Sequence, residues 1–226
     1  MTTSTRIKRI VDLCKSVKTA ADIGADHGLT SAALLWRGLA ERIIASDISG
    51  KSIAKAQALF SERGLADKTE CRVGDGIQVL QPGEAEGIVI SGMGGQMILH
   101  ILQDRPEVVK KADWLVISPQ SNVDLVRSSL PQMHLCIEEE DIVEEDGKYY
   151  PIMRIVPAET QAYTPAECFT GKPELMRSKE RFLEYMEYMI NKFQTIVDQA
   201  QDSPELPRLQ VRLDMYKTAW QKGMQL

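Results

Sequence analysis

Apolar and polar positions follow two different periods along the first two thirds of the chain. Short apolar runs alternate with segments whose apolar residues recur at three-and-four spacing. The runs predict buried parallel strands, and the segments between them predict helices that cover the sheet. The predicted strands are a run ending at Asp22 and residues 42–46, 70–73, 87–91 and 114–118, and the predicted helices are 4–16, a segment from Gly28, 52–62, 96–102 and 123–130. We therefore expect an α/β fold with the βα unit repeated five times.

Two further apolar runs come after the repeats. Residues 134–139 and 149–156 flank Asp146-Gly147, a dipeptide typical of a tight turn between antiparallel strands. They predict a β-hairpin that closes the sheet. Closure by an antiparallel pair separates this pattern from that of dehydrogenases, whose sixth strand is also parallel.

From about residue 173 the pattern is helical, in two runs separated by Asp202-Ser203-Pro204. The apolar stripes consist of Leu175, Phe182, Met186, Met189, Phe193 and Ile196 in the first run, and of Leu206, Leu209, Leu213, Tyr216 and Trp220 in the second. We expect a helical hairpin, a small antiparallel coiled coil, whose stripes form its own seam. The chain would then consist of two units, 1–160 and 161–226. Whether the hairpin grips RNA, supports a dimer or caps the first unit is left open by the pattern.

The composition is ordinary for a soluble globular protein, with 43% hydrophobic and 26% charged residues among 226. No apolar run approaches the roughly 18–20 residues that cross a bilayer, and the first residues lack the apolar core of a signal peptide. The four cysteines are scattered, without a C-x-x-C pair or enough partners for a zinc site. We expect a cytoplasmic protein with reduced thiols, no membrane association and no metal.

Charge is segregated along the chain, although the net charge is only −5. The first eighteen residues carry Arg6, Lys8, Arg9, Lys15 and Lys18 against the single acid Asp12. Acidic residues cluster instead at 138–141 and 144–146. We expect helix 4–16 to pack on the sheet edge with its basic side facing solvent. That side would be either a merely solvated surface or one that binds phosphate.

The stretch 19–28, T-A-A-D-I-G-A-D-H-G, combines the end of a strand, a glycine turn and the start of a helix. Gly24 allows a tight turn and a close approach of the backbone to a ligand. The stretch lacks the G-x-G-x-x-G of pyrophosphate-binding loops, and Asp26 within it would repel a pyrophosphate. S-adenosylmethionine (SAM) suits such a loop, because it carries an ammonium and a sulfonium but no phosphate. An ordinary βα turn would have the same local pattern, so the choice depends on the residues downstream.

Polar residues and glycines also end the next strands. Asp47 lies 25 residues beyond Asp22, close to the spacing of about 20 at which a second-strand carboxylate binds a ribose diol. Asp75, between two glycines, can accept a hydrogen bond from an adenine amino group. The run Gly92-Met93-Gly94-Gly95 at the end of the fourth strand indicates a close approach of backbone to a ligand. Together these positions favour a SAM site over an empty turn.

Five strands closed by a hairpin is the architecture of class I methyltransferases. With D-I-G-A-D-H-G, S-D-I, G-D-G, I-S-G-M-G-G and E-E-D-G-K-Y-Y-P-I in that order, the chain resembles the bacterial TrmK family. Members of that family are tRNA (adenine-N1)-methyltransferases that act on adenine 22 of the tRNA core. The resemblance is strong over residues 5–156, whereas the C-terminal tail resembles the family in architecture only. It implies a SAM-dependent Rossmann-like domain followed by a coiled-coil domain that helps to bind tRNA.

The resemblance also implies roles for individual residues. It assigns the first SAM motif to Asp22, Gly24, Asp26 and His27, the ribose hydroxyls to Asp47, the adenine ring to Asp75 and Gly76, and the loop under the methyl donor to Gly92, Met93 and Gly94. The chain departs from the family pattern in two places. Ser118-Pro119-Gln120 stands where members carry Q-P-N, and 168–171 stands where they carry F-G-P.

The mechanism expected from this resemblance is a direct displacement in which adenine N1 attacks the methyl group. N1 already carries a lone pair, so alignment rather than a general base would supply the catalysis. Asp26 is the candidate catalytic residue, because a nearby carboxylate would stabilise the cationic product. Two alternatives remain at this stage: a SAM-dependent methyltransferase of a small molecule or protein, and a non-catalytic SAM-fold module that binds RNA. We expect a monomer or a weak dimer.

Overall fold

The computed structural model describes residues 4–225, so residues 1–3 and 226 of the two predicted units lie outside the described residues. A seven-stranded sheet with the order β3-β2-β1-β4-β5-β7-β6 forms the centre of this part of the chain. The strands are β1 Val17–Ile23, β2 Ala40–Asp47, β3 Thr69–Val73, β4 Gly87–Ser91, β5 Trp114–Ser118, β6 Leu135–Glu145 and β7 Lys148–Pro157. Strands β1–β5 are parallel, whereas β7 runs antiparallel to both β5 and β6. The strand order therefore reverses between β1 and β4, the position where sheets of this type bind ligands.

Helices cover both faces of the sheet. They are α1 Thr5–Leu13, α2 Leu29–Trp36, α3 Gly50–Glu62, α4 Gly95–Asp104, α5 Pro106–Val109, α6 Val123–Ser129, α7 Pro165–Thr170, α8 Lys179–Gln199 and α9 Leu206–Gln225. Alternate residues of each central strand supply two cores: Ile88 and Ile90 pack with α4–α6, and Val89 packs with α1–α3. Because both faces are covered, the central strands are apolar throughout, which made them recognisable in the sequence.

The predicted α/β fold, the closing hairpin and the C-terminal helices are confirmed, but the expectation of five βα units is wrong. After β3 the chain makes only a 3-10 turn, Gly76–Val79, before it enters β4. Gly74, Gly76 and the pair Pro82-Gly83 lie within this connection. Glycine and proline are the weakest helix formers, and a short connection that contains them cannot sustain a helix. The open turn leaves the ends of β2 and β3 accessible.

The expectation that the basic side of α1 faces solvent is also wrong for Arg6 and Arg9. The guanidinium of Arg9 lies 3.0 Å from the buried carboxylate of Asp141, and that of Arg6 lies 3.9 Å from Glu145. Lys15, just after the helix, lies 2.9 Å from Glu138. The basic segment and the acidic segment, separate in sequence, therefore pair across α1 and β6. The predicted choice between a solvated and a phosphate-binding surface does not arise for Arg6 and Arg9, whereas the side chain of Lys15 is 51% exposed.

The C-terminal hairpin has most of the predicted seam, although Leu206, Leu209 and Trp220 are only partly buried and Ala219 was not predicted. Helices α8 and α9 run antiparallel, since Glu187 accepts a hydrogen bond from Trp220 and Gln194 one from Lys217. The buried seam contains Phe182, Met186, Met189, Phe193, Val197, Leu213, Tyr216 and Ala219, and it continues onto Ile142 of β6. Val197 rather than Ile196 is the buried residue of the last turn. Leu175 lies before α8, in a 3-10 turn that packs on the main core.

A buried ion pair that the sequence did not reveal connects α6, β6 and α7. The guanidinium of Arg127 donates to both carboxylate oxygens of Glu140, at 3.2 and 2.7 Å, and to the carbonyl oxygen of Cys168 at 2.9 Å. The two side chains are 1% and 0% exposed. Gly171 closes over the pair with a φ of +75°, and a Cβ there would lie only 2.9 Å from the Glu140 carboxylate. Glycine at this position thus leaves room for both the ion pair and the side chain of Met176.

Candidate cofactor and substrate site

Two cavities adjoin over the carboxyl ends of the parallel strands. The larger one measures about 480 Å³ and the smaller one about 230 Å³, and the walls of both include Gly24, Asp47 and Met93. Gly24 has a φ of +74°, and a Cβ built on it would overlap the terminal methyl group of Met93. A side chain at position 24 would therefore be strained and would crowd the junction of the two cavities. We refer to the two cavities together as the cleft.

The loop between β1 and α2 is fastened to the end of β2. The amides of Gly24 and Ala25 both donate to the carbonyl oxygen of Ser46, at 2.8 and 2.9 Å. The amide of Asp26 donates to Asp47 Oδ2 at 3.2 Å, and Asp47 Oδ1 accepts from the amide of Ser49 at 2.8 Å. These bonds hold the Asp47 carboxylate in the wall of both cavities. The predicted ribose-binding acid thus lies where two cavities share a boundary.

Asp26 and His27 lie on the rim of the larger cavity. Asp26 has a left-handed φ of +44°, which an aspartate tolerates better than most residues. Its side chain is 62% exposed, and its Oδ2 lies 3.5 Å from His27 Nε2. With Asp47 it makes one side of the cavity acidic. Such a wall attracts a cationic or zwitterionic ligand and repels a phosphate.

Asp22 does not contribute to the wall of either cavity. It is 2% exposed beneath the loop, where its Oδ2 accepts from both the amide and the hydroxyl of Ser31, at 3.0 and 2.6 Å. Burial raises the pKa of Asp22 to about 6, although the bonds from Ser31 oppose this rise. Asp22 therefore acts on the cleft through the loop, which it ties to the first turn of α2.

The raised pKa of Asp22 predicts a specific dependence of stability on pH. Because the pKa in the folded chain is above that of an ordinary aspartate, 3.8, folding favours the protonated form, and stability falls as pH rises from about 4 to 6. Asp22→Asn removes this loss. We expect the difference in unfolding free energy between the variant and the wild type to grow by about 2 kcal/mol between pH 4 and pH 7. Urea unfolding across this range measures it, and a constant difference would refute the prediction.

The smaller cavity combines an acid and glycines with exposed apolar side chains. Asp75 and Gly76 line it as predicted, and Gly76 has a φ of +51°. Its apolar wall includes Ile48, Met97 and Ile101, of which Ile48 is 71% and Met97 is 51% exposed. Exposed large apolar side chains beside a polar edge suit a flat heteroaromatic ring. Sequence reasoning missed all three, although Ile48 directly follows the predicted Asp47.

The larger cavity is walled partly by elements that had no predicted role in the site. Gly92 and Met93 lie in its wall as predicted, but Gly94 does not. Gly94 lies at the start of α4, where a Cβ would come within 2.9 Å of the Ser121 hydroxyl, so it serves packing against the loop after β5. The remaining wall includes Arg6, Ile7 and Ile10 of α1 and Gln120 of that loop. Sequence reasoning placed none of these four residues in the cleft, because they come from distant parts of the chain.

The cleft fits SAM. An acidic wall suits its charged amino acid end, Asp47 lies where a diol-binding acid is expected, and the apolar smaller cavity suits its adenine ring. Between residues 4 and 225 there is no cluster of three or more His, Cys, Asp or Glu side chains that could hold a metal ion. Of the helices described in that same range, none is long and apolar enough to cross a membrane.

The chain belongs to the methyltransferase-domain family, whose model matches residues 3–153. It is 30% identical over 150 residues to the tRNA (adenine(22)-N(1))-methyltransferase of Bacillus subtilis, a match that covers 66% of this chain and 63% of that relative. The crystal structure of B. subtilis TrmK, an m1A22 tRNA methyltransferase, superposes with a TM-score of 0.82 at 24% identity over 96% of this chain and 98% of that one. M. capricolum TrmK, solved with S-adenosyl-homocysteine, gives 0.83 at 21% identity over 95% and 96%.

These comparisons confirm the predicted class of protein, its fold and its resemblance to the TrmK family. The match to the B. subtilis sequence spans less than two thirds of that relative's length. The structural matches lie below 25% identity and concern the fold. The roles of the individual site residues remain predictions. Asp22 and Gly94 lie outside the walls of the cleft. The predicted residues that line the cleft are Gly24, Asp26, His27, Asp47, Asp75, Gly76, Gly92 and Met93.

Proposed function

We propose that this protein is a SAM-dependent tRNA methyltransferase that transfers a methyl group to N1 of adenine 22. The observation that carries the proposal is the cleft at the β1–β4 reversal, with an acidic half and an apolar half that meet at Gly24 and Met93. A dinucleotide would place a pyrophosphate against Asp26 and Asp47, whereas SAM carries no phosphate and would place its ammonium-bearing end near Asp26. The name of the B. subtilis relative supports tRNA as the substrate and adenine N1 as the acceptor.

In this proposal the residues of the cleft mainly bind SAM and align its methyl group with the acceptor adenine. Bound SAM supplies an electrophilic methyl group on its sulfonium. Asp47 binds the ribose hydroxyls, Asp75 and Gly76 receive the adenine ring, and the loops at 24–27 and 92–93 surround the amino acid end. Because N1 of the acceptor adenine has a lone pair, the chain does not need to remove a proton before the attack. Alignment of nucleophile and methyl group is then the chief contribution to the rate.

Asp26 is proposed to stabilise the methylated, cationic adenine. We expect Asp26→Asn to lower the turnover number by about 10-fold and to weaken SAM binding by less than that, since the lost charge acts chiefly on the product-like state. Asp146→Asn is the matched control, because Asp146 is also left-handed, with a φ of +53°, but lies in the β6–β7 turn. Single-turnover rates and calorimetry separate the two effects. A loss of affinity with unchanged turnover would show that Asp26 only holds the cofactor.

Substrate and reaction are tested together by incubating the full chain with labelled SAM and unmodified bulk tRNA, followed by nucleoside analysis. We expect label in 1-methyladenosine. Label in small molecules or protein, with none in tRNA, would replace the proposal with a different methyltransferase. tRNA binding without any transfer would replace it with a non-catalytic module.

We further propose that residues 1–160 carry out the transfer and that the hairpin unit, 161–226, contacts tRNA. The hairpin shares its core with β6 through Ile142, so it is held firmly against the sheet. We place the reaction in the cytoplasm and the protein in a monomeric or weakly dimeric state. Bulk tRNA affinity should fall steeply with salt if phosphate contacts contribute to it.

A further inference from the structure

The larger cavity contains a polar side chain that has no partner in the described structure. Gln120 lies in the loop after β5 and lines this cavity. Its backbone amide donates to the carbonyl oxygen of Met93 at 2.9 Å, which fixes the position of the residue. Within residues 4–225 no hydrogen bond is formed by its exposed side-chain amide. The amide is therefore positioned at the cavity and free to bind a ligand.

The order of the strands separates the side of the cleft that would hold the methyl donor, SAM, from the side that would hold the acceptor. Asp47 and Asp75, proposed to hold SAM, follow β2 and β3. Gly24 and Met93 follow β1 and β4, in the middle of the cleft. Gln120 follows β5, the next strand outward, whose Ser118 pairs with Ser91 of β4. If SAM extends from the smaller cavity to the middle, the space beside Gln120 is left for the acceptor.

That remaining space has walls suited to a base. Ile7 and Ile10 of α1 supply an apolar surface, and Gln120 supplies a group that can both donate and accept hydrogen bonds. Arg6 lies on the same wall, where its guanidinium stacks 4.8 Å from the Tyr150 ring centroid. An apolar wall beside one amide resembles the way in which flipped bases are held, by stacking and by a few edge contacts.

We propose that Gln120 recognises the acceptor adenine through its N6–N7 edge, an inference that rests on the proposed function. Its carbonyl oxygen accepts from the 6-amino group and its amide nitrogen donates to N7, the pairing by which glutamine reads adenine. This contact leaves N1 unbonded and its lone pair available. Guanine carries an oxygen at position 6, so the same amide orientation cannot satisfy it. Gln120 would thus select adenine and orient N1 at once.

The test uses the full chain, saturating SAM and tRNA assembled with either adenine or 7-deazaadenine at the acceptor position. We expect Gln120→Ala to lower the single-turnover rate on adenine by about 10- to 100-fold, with SAM affinity changed by less than twofold. The 7-deaza substitution removes N7, so it should slow the wild type by about 10-fold and leave the variant unaffected. Gln103→Ala, an exposed residue of α4, is the control and should behave as the wild type.

Three results would overturn the assignment. The first is an unchanged rate for Gln120→Ala. The second is a 7-deazaadenine effect on the variant as large as on the wild type. The third is a tenfold loss of SAM affinity in the variant, which would place Gln120 beside SAM instead of the acceptor. A thermal melt identical to that of the wild type verifies that the variant is folded. The wild type with unmodified tRNA is measured first. If the wild type transfers no methyl group, the proposed function and this assignment both fail. If the wild type is active and Gln120→Ala is equally active, only this assignment fails.

Discussion

Replacing Arg127 with methionine is expected to lower the free energy of unfolding by about 3–5 kcal/mol, because it leaves the Glu140 carboxylate buried without its partner. The carbonyl oxygen of Cys168 loses its hydrogen bond at the same time. Urea unfolding at neutral pH measures the loss. We expect the double variant Arg127→Met with Glu140→Leu to recover much of it, since burying two apolar side chains avoids the isolated charge.

The control for this prediction is an ion pair on the surface. Arg208 and Glu205 lie 3.2 Å apart with side chains that are 83% and 59% exposed. Arg208→Met should change the free energy of unfolding by less than about 1 kcal/mol. If Arg127→Met cost no more than this control, the buried pair would not be what joins α6, β6 and α7.

The second large effect is expected at Asp47. Asp47→Asn should weaken SAM binding by about 10- to 100-fold, because hydrogen bonds to a charged acceptor contribute about 1.5–3 kcal/mol and an amide cannot accept from both ribose hydroxyls as a carboxylate does. Calorimetric titration of the full chain with SAM measures the affinity. Glu41→Gln is the matched control, since Glu41 is an exposed acid near the opposite end of the same strand, β2.

Affinities that agree within twofold for Asp47→Asn and the wild type would place the ribose elsewhere. Asp47 also accepts hydrogen bonds from the amides of Asp26 and Ser49, so its replacement could weaken SAM binding by destabilising the fold. A thermal melt of the variant tests this explanation. Asparagine retains one carbonyl acceptor and can keep one of these bonds. A stable variant with weakened SAM binding would therefore report the contact itself.

Much of the fold could be predicted because a parallel sheet covered on both faces leaves a clear mark in the sequence. The runs at 87–91 and 114–118 are apolar throughout and coincide with β4 and β5. The residues just after such strands meet at one edge, which brought Asp47, Asp75 and Gly92 into the same cleft. Their positions followed from the pattern without any knowledge of distances.

What could not be predicted depends on contacts between distant segments. Arg127 lies on a short helix where an arginine usually faces solvent, and only the tertiary fold brings Glu140 to it. The basic residues of α1 predicted a solvent-exposed surface, but β6 brings Asp141 to Arg9, from which it is far in sequence. The sequence marked Gln120 only as part of a departure from the family pattern, because its place in the cavity depends on α1, which closes the other side.

The central claim is tested most directly on one defined tRNA. A transcript with adenine at position 22 and a matched transcript with guanine there are incubated with the full chain and SAM, and the modified position is mapped by primer extension. We predict one methyl group per tRNA, a stop caused by 1-methyladenosine at position 22, and no incorporation into the guanine transcript. Equal incorporation into both transcripts, or none into either while SAM binds, would contradict the account.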